Sequence, residues 1–155
     1  MQEIRSAFAA LRGTLILCGT VLAASLVVVV VLAAMPAKGV VGDVRVVVTN
    51  FRVSMPTVLT PGRHTFAMSN GGSVPHELLV FRTDLPGDAL PVGPDGDVVE
   101  DSPLLVKLVD SGNATNPGAS VSAPSSQSFT PGHYVAVCNL PGHYRLGMWL
   151  KVMVP

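Results

Sequence analysis

The chain has little cysteine, no net charge and, in its first quarter, almost nothing that breaks a helix. Its 155 residues contain two cysteines, and ten Lys plus Arg balance ten Asp plus Glu. That balance gives no basic surface for nucleic acid and no reason to expect a strongly charged substrate. All 13 prolines, and every glycine except Gly13 and Gly19, lie from Met35 onward. The chain therefore divides into a breaker-poor N-terminal part and a turn-rich remainder, which has room for one domain around one core.

Charge is also missing from residues 13–37, between Gly13 and Ala37. A run of roughly 20 apolar residues is long enough to cross a hydrocarbon core as a helix. Arg5 and Arg12 precede it and Lys38 comes after it. This bias orients the N-terminus toward the cytoplasm and exports the C-terminal remainder of the chain. The run is longer than the apolar part of a cleavable signal peptide and ends Val31-Leu32-Ala33-Ala34-Met35-Pro36, so an uncleaved anchor is favoured over a signal peptide. The expected organisation is a short cytoplasmic N-terminus at 1–12, a transmembrane anchor at 13–37 and an extracytoplasmic (periplasmic or extracellular) domain at 38–155. Cys18 lies inside the run after bulky Leu17, which suits a lipid-facing or helix-packing residue better than a lipidation site.

The exported part then holds a single cysteine, Cys138. It can form no intradomain disulfide, and a lone thiol in an oxidising compartment calls for another use. Metal ligation is one; an inert buried thiol and an intermolecular disulfide are the others.

The pattern around it is that of an all-β domain. Val44, Val46 and Val48 alternate with Arg45, Val47 and Thr49, and the apolar phase then shifts to Phe51 and Val53, as a bulge would cause. Arg63 to Ser69, Glu77 to Arg82, His133 to Val137 and Met148 to Val154 read as further strands, with Thr-Pro-Gly turns at 60–62 and 130–132. Residues 83–132 are loop-rich around one apolar piece, Leu104 to Val109, and carry seven acidic residues up to Asp110 against one base, Lys107. They read as a solvated excursion; a docking surface for a basic partner is the sharper alternative. Asn113-Ala114-Thr115 fits a glycosylation sequon, a weak pattern at this length. With no amphipathic helix after the anchor, the fold expected is an antiparallel sandwich or barrel.

One stretch concentrates chemistry. Cys138, His143 and Met148 are spaced by four intervening residues each, in a Gly- and Pro-punctuated loop between two apolar runs. Thiolate, imidazole and thioether in one loop suit copper, and a trigonal His2Cys site with a weak axial Met lacks only a second His. His76, directly after Pro75 at the start of a strand, is the best placed. His133 shares the Pro-Gly-His-Tyr context of His143 but sits within a strand on the face opposite Cys138, and His64 shares a face with Phe66; both read as structural. Met55, Met68 and Met153 are expected to pack.

His76 together with Cys138-x4-His143-x4-Met148 resembles the type 1 copper site of the cupredoxins, with a ligand loop similar in length to that of rusticyanin and sulfocyanin rather than plastocyanin. Tyr134 to Cys138 and Asn70 to His76 resemble the strand and loop that lead into the ligands, and the likeness covers about residues 40–155. It implies a Greek-key antiparallel β-sandwich, one mononuclear blue copper ion and one-electron transfer. His143, surrounded by Leu140, Pro141, Gly142 and Leu146, is then the ligand nearest solvent and the contact for redox protein partners. The sequence departs from the family pattern at Glu77, where many members place Asn or Ser, which leaves open what donates to the sulfur.

Catalysis fits less well. Four histidines cannot furnish this site and a trinuclear copper cluster, one cysteine cannot bridge a dinuclear centre, and Met is not a usual ligand of structural zinc. The expectation is a membrane-anchored electron carrier and not an enzyme. The alternatives are a copper delivery or storage protein without redox cycling, and a metal-free sandwich acting as an interaction module.

Overall fold

The structure is a computed structural model, and it describes residues 41–155. The anchor expected at 13–37 lies outside the described residues. Among those described, no helix is long and apolar enough to cross a membrane.

Eight strands form two four-stranded sheets. They are β1 (Val44–Thr49), β2 (Arg52–Ser54), β3 (Thr65–Asn70), β4 (Leu79–Arg82), β5 (Val106–Asp110), β6 (Ser120–Pro124), β7 (Gly132–Val137) and β8 (Trp149–Val154). One sheet runs β2-β1-β3-β6 and the other β5-β4-β7-β8. β1 lies parallel to β3, with Val44 opposite Phe66, so the sandwich is mixed rather than wholly antiparallel as expected. A parallel neighbour requires a crossover, and the chain supplies one through β2 and residues 55–64.

Alternation puts Val44, Val46, Val48, Phe66, Met68, Tyr134, Ala136, Val152 and Val154 into the core between the sheets. Full burial of each large apolar side chain contributes about 1.5–3 kcal/mol. Tyr134 brings a hydroxyl into this core and satisfies it locally: its Oη donates to Thr130 O (2.7 Å) and accepts from Thr130 N–H (2.9 Å). Met68 is fully buried and Met55 packs against the core, but Met153 lies on the outer face and is exposed, contrary to expectation.

Three readings of the connections need correction. The phase shift after Val48 is a turn between β1 and β2 rather than a bulge, with Phe51 in the left-handed region at φ 59°. β6 hides in the loop-rich stretch because its Ser-Val-Ser-Ala-Pro sequence has too little apolar contrast to signal a strand. The acidic excursion is also more than a solvated loop. Leu85, Leu90, Val98 and Leu105 cover the outer face of β4 and β7 and form a second cluster with Leu79, Phe81, Val135, Val137 and Tyr144.

His64 has a structural role, as expected. Its Nδ1 meets Asp43 Oδ2 at 2.5 Å and its Nε2 meets Thr60 O at 2.8 Å, so both ring nitrogens face acceptors. Only the imidazolium donates from both. Burial alone pushes the His64 pKa down, yet the bonds to Asp43 and Thr60 outweigh it and the value ends above the ordinary 6.5. Asp43, bonded to His64 and to Thr65 N–H, is held below its ordinary 3.8. Linkage sets the sign of the pH dependence. The His64 contribution is complete below pH 6.5 and is lost as pH rises through the raised value, while that of Asp43 is lost as pH falls through its lowered one. Wild-type stability should therefore decline as pH rises above 6.5 and through the raised His64 value, and only modestly, because Asp43 is exposed. His64→Gln should flatten that slope in urea melts, and an unchanged slope would refute the assignment.

Candidate metal centre

The site lies where the ends of β4 and β7 meet. Leu79 pairs with Val137, so the residues just before β4 lie beside those just after β7. His76 and Cys138 are thereby neighbours across 62 positions of sequence. Both are fully buried.

Local bonds explain why each side chain stays in place. The His76 backbone exchanges two hydrogen bonds with Thr115: His76 N–H to Thr115 O at 3.1 Å and Thr115 N–H to His76 O at 2.7 Å. Buried Asn70 spans the preceding loop, donating from Nδ2 to Val74 O (2.8 Å) and Thr115 O (2.9 Å) and accepting from Gly72 N–H (2.8 Å). The loop from Cys138 to Met148 closes on itself: Cys138 N–H donates to Met148 O (3.1 Å) and Met148 N–H to His143 O (3.2 Å). Gly142 and Gly147 sit in the loop at φ 79° and 84°, where L side chains are strained.

The donor atoms converge. His143 Nδ1 is 3.2 Å from Cys138 Sγ, His76 Nδ1 is 3.9 Å from it, and the two Nδ1 atoms are 3.3 Å apart. All three donors lie within 4.8 Å of one another. Met148 is fully buried in the same apolar cluster as Cys138. The structure therefore brings together the sulfur and two imidazoles expected from the sequence and places Met148 beside them. His64 takes its own Asp43 partner, and His133 is exposed near Asp84.

These groups fit a soft, thiophilic cation. Burial, reinforced by the neighbouring His143, lowers the His76 pKa and favours the neutral ring, the form in which an imidazole can ligate a metal. Burial pushes the Cys138 thiol up, while the N–H groups of Glu77 and Leu140 act against it. A bound cation would displace that thiol proton and hold the sulfur as a thiolate. His76 Nε2 is buried with no hydrogen-bond partner among the described residues. The aligned partner of this ring is thus on its Nδ1 side, where sulfur and His143 are.

Glu77 resolves the departure noted in the sequence. Its backbone N–H points at Cys138 Sγ (3.5 Å), and its carboxylate accepts from Asn139 N–H at 3.0 Å. The residue after the first histidine thus ties the two ligand segments together. Burial pushes the Glu77 carboxyl up; the bond from Asn139 opposes this, and the charges of Glu100 and Asp110 add to it.

Nothing in the local sequence pattern signals that the acidic excursion buttresses the ligand loop. Asn139 accepts from Val98 N–H (2.6 Å) and donates to Val98 O (3.0 Å) and Glu100 Oε1 (2.9 Å). Asp97 Oδ1 accepts from Gly142 N–H (2.9 Å), next to His143. Tyr144 Oη donates to Gly87 O and accepts from Leu90 N–H. Gly96 at φ 87° leaves room for Arg145, whose Nε would stand 1.5 Å from a Cβ there. The polar spacing in 95–100 is a signal that reads only once the partner loop is known.

Residues 28–155 match the sulfocyanin (SoxE) domain. The chain belongs to the sulfocyanin family. It is a cupredoxin-like blue copper protein with one type 1 copper. Among solved structures, it is similar to the auracyanin of the photosynthetic bacterium Roseiflexus castenholzii at 21% identity, over 72% of this chain and 94% of that one, with a TM-score of 0.47. Auracyanin A of Chloroflexus aurantiacus, a blue copper protein, aligns at 20% identity over 72% and 99%, with a TM-score of 0.49. A search of curated proteins found no match.

Loss of the Glu77 carboxylate should leave Asn139 N–H without its acceptor. Glu77→Ala is expected to lower stability by about 1–3 kcal/mol, whereas Glu77→Gln keeps an acceptor oxygen and most of that stability. Chemical denaturation of the two variants separates the hydrogen bond from the charge, and equal losses would assign the role to the charge.

Proposed function

We propose that the protein is a membrane-anchored electron carrier whose extracytoplasmic domain holds copper through His76, Cys138, His143 and Met148. The convergence of Cys138 Sγ with His76 Nδ1 and His143 Nδ1 carries this reading. Copper bound there supplies a one-electron Cu(II)/Cu(I) couple. Cys138 would provide a thiolate, His76 and His143 imidazole nitrogens, and Met148 a weakly held thioether sulfur.

The chain's part is to keep these donors still. Each ligand segment is anchored in a sheet or by backbone bonds, so the residues need not rearrange when the charge of the site changes by one. Burial of His76, Cys138 and Met148 excludes water from three sides. His143 is half-buried, and Pro141 and Leu146 beside it are exposed, Leu146 by 60%. This apolar surface, with Leu140 at its edge, is the proposed docking face for redox protein partners. Membrane attachment is proposed through residues 13–37, with the domain at 38–155 on the outer side.

Addition of Cu(II) to the purified protein should produce an intense blue thiolate-to-copper absorption that ascorbate bleaches and an oxidant restores. Cys138→Ser should stay colourless. A colourless wild type would overturn the carrier reading, and tight Cu(I) binding without a reversible blue state would favour copper delivery or storage. Protease added outside intact cells should digest the domain, and complete protection would contradict the proposed topology.

A further inference from the structure

The turn between β1 and β2 has a feature that its own packing does not explain. Phe51 is the one non-glycine residue with positive φ among the described residues. A bulky side chain is an outlier in that region, and Gly or Asn would make the turn at lower cost. Burial does not account for the choice, because Phe51 remains 43% exposed. Its ring instead stands edge-on to His143, with centroids 5.4 Å apart and planes at 87°.

The surrounding structure holds the turn in register with the ligands. Asn50 Nδ2 donates to Ser73 Oγ, and Asn50 Oδ1 accepts from Ser73 N–H, both at 2.8 Å. Gly71 N–H donates to Val48 O at 2.8 Å. Between them, Gly72 leaves no room: a Cβ there would lie 2.6 Å from Asn50 Oδ1 and 3.0 Å from His76 Nε2. The β1–β2 turn, the loop leading to His76 and the His143 ring thus form one interlocked unit. Strained backbone that is over-determined by its neighbours points to a role at a functional site.

We infer that Phe51 is a positioning residue of the copper centre, whose ring fixes the orientation of His143 and keeps water from that edge of the imidazole. The inference rests on the copper reading above. T-shaped contact suits an aromatic pair and restrains rotation of the imidazole. With one thiolate and neutral imidazoles, the site carries one positive charge as Cu(II) and none as Cu(I). Excluding water disfavours the charged form and raises the preference for the electron.

The test uses the full chain and three variants. Phe51→Leu keeps the strained backbone and removes the ring, Phe51→Gly removes both, and Phe51→Tyr keeps both. In metal-free protein, the ring-proton resonances of His143 should move in the Leu and Gly variants, which lose the phenyl ring current, and stay near wild type in the Tyr variant. In copper-loaded protein, redox titration should show the preference for Cu(I) reduced by about threefold or more in Leu and Gly and retained in Tyr. If position 51 served only the turn, the Gly variant would keep the wild-type preference for Cu(I), and that result would overturn the inference. A blue wild type whose potential is unmoved by Phe51→Leu overturns the inference alone. A wild type that binds no copper overturns the copper reading together with it.

Discussion

The pairing of β4 with β7 is the constraint on which the rest of the site depends. With Leu79 opposite Val137, the chain entering one strand and the chain leaving the other meet at the same end of the sheet. His76 and Cys138 become neighbours, and Glu77 reaches both the sulfur and Asn139. A slip of one residue would turn every side chain of β7 to the other face. Cys138 would then leave the inner core for the layer occupied by Val135 and Val137.

Both faces of that strand pair are covered, and the two coverings do different work. The inner face packs on Phe66 and Met68 of the opposite sheet and on Phe129 of the β6–β7 connection, which keeps the ligand end dry. The outer face is covered by the excursion, whose apolar residues anchor it and whose polar groups bond to the ligand loop. Lys107 joins Glu100 and Asp110 at 3.0 and 2.7 Å, which limits repulsion among the carboxylates close to Glu77. The acidic residues of the excursion are therefore divided between solvent and the support of the metal loop.

This arrangement suits a centre that changes charge without changing shape. A metal site in a mobile loop would relax with each change of oxidation state, whereas here the loop is tied at Cys138, Asn139, Gly142, Tyr144 and Met148. Outer partners of this kind orient the ligands and tune the metal. The site is closed on the Cys138 and His76 side and half-open at His143, so its exposed edge and its apolar neighbours lie on one surface.

Much of this was legible in the sequence. Alternation located β1, β3, β7 and β8, because a strand with two unlike faces records its own period. The spacing of Cys138, His143 and Met148 exposed the ligand loop, because ligands within one short loop are close in sequence as well as in space. His76 came from its place after Pro75 and from the missing fourth donor. The parallel pairing of β1 and β3, the strand at Ser120–Pro124 and the buttressing by Asp97, Glu100 and Tyr144 were decided only by tertiary structure. So was the contact of Phe51 with His143. Each joins segments far apart in the chain, where a side chain's partner depends on the packing of the sheets and leaves no periodic trace in its own neighbourhood.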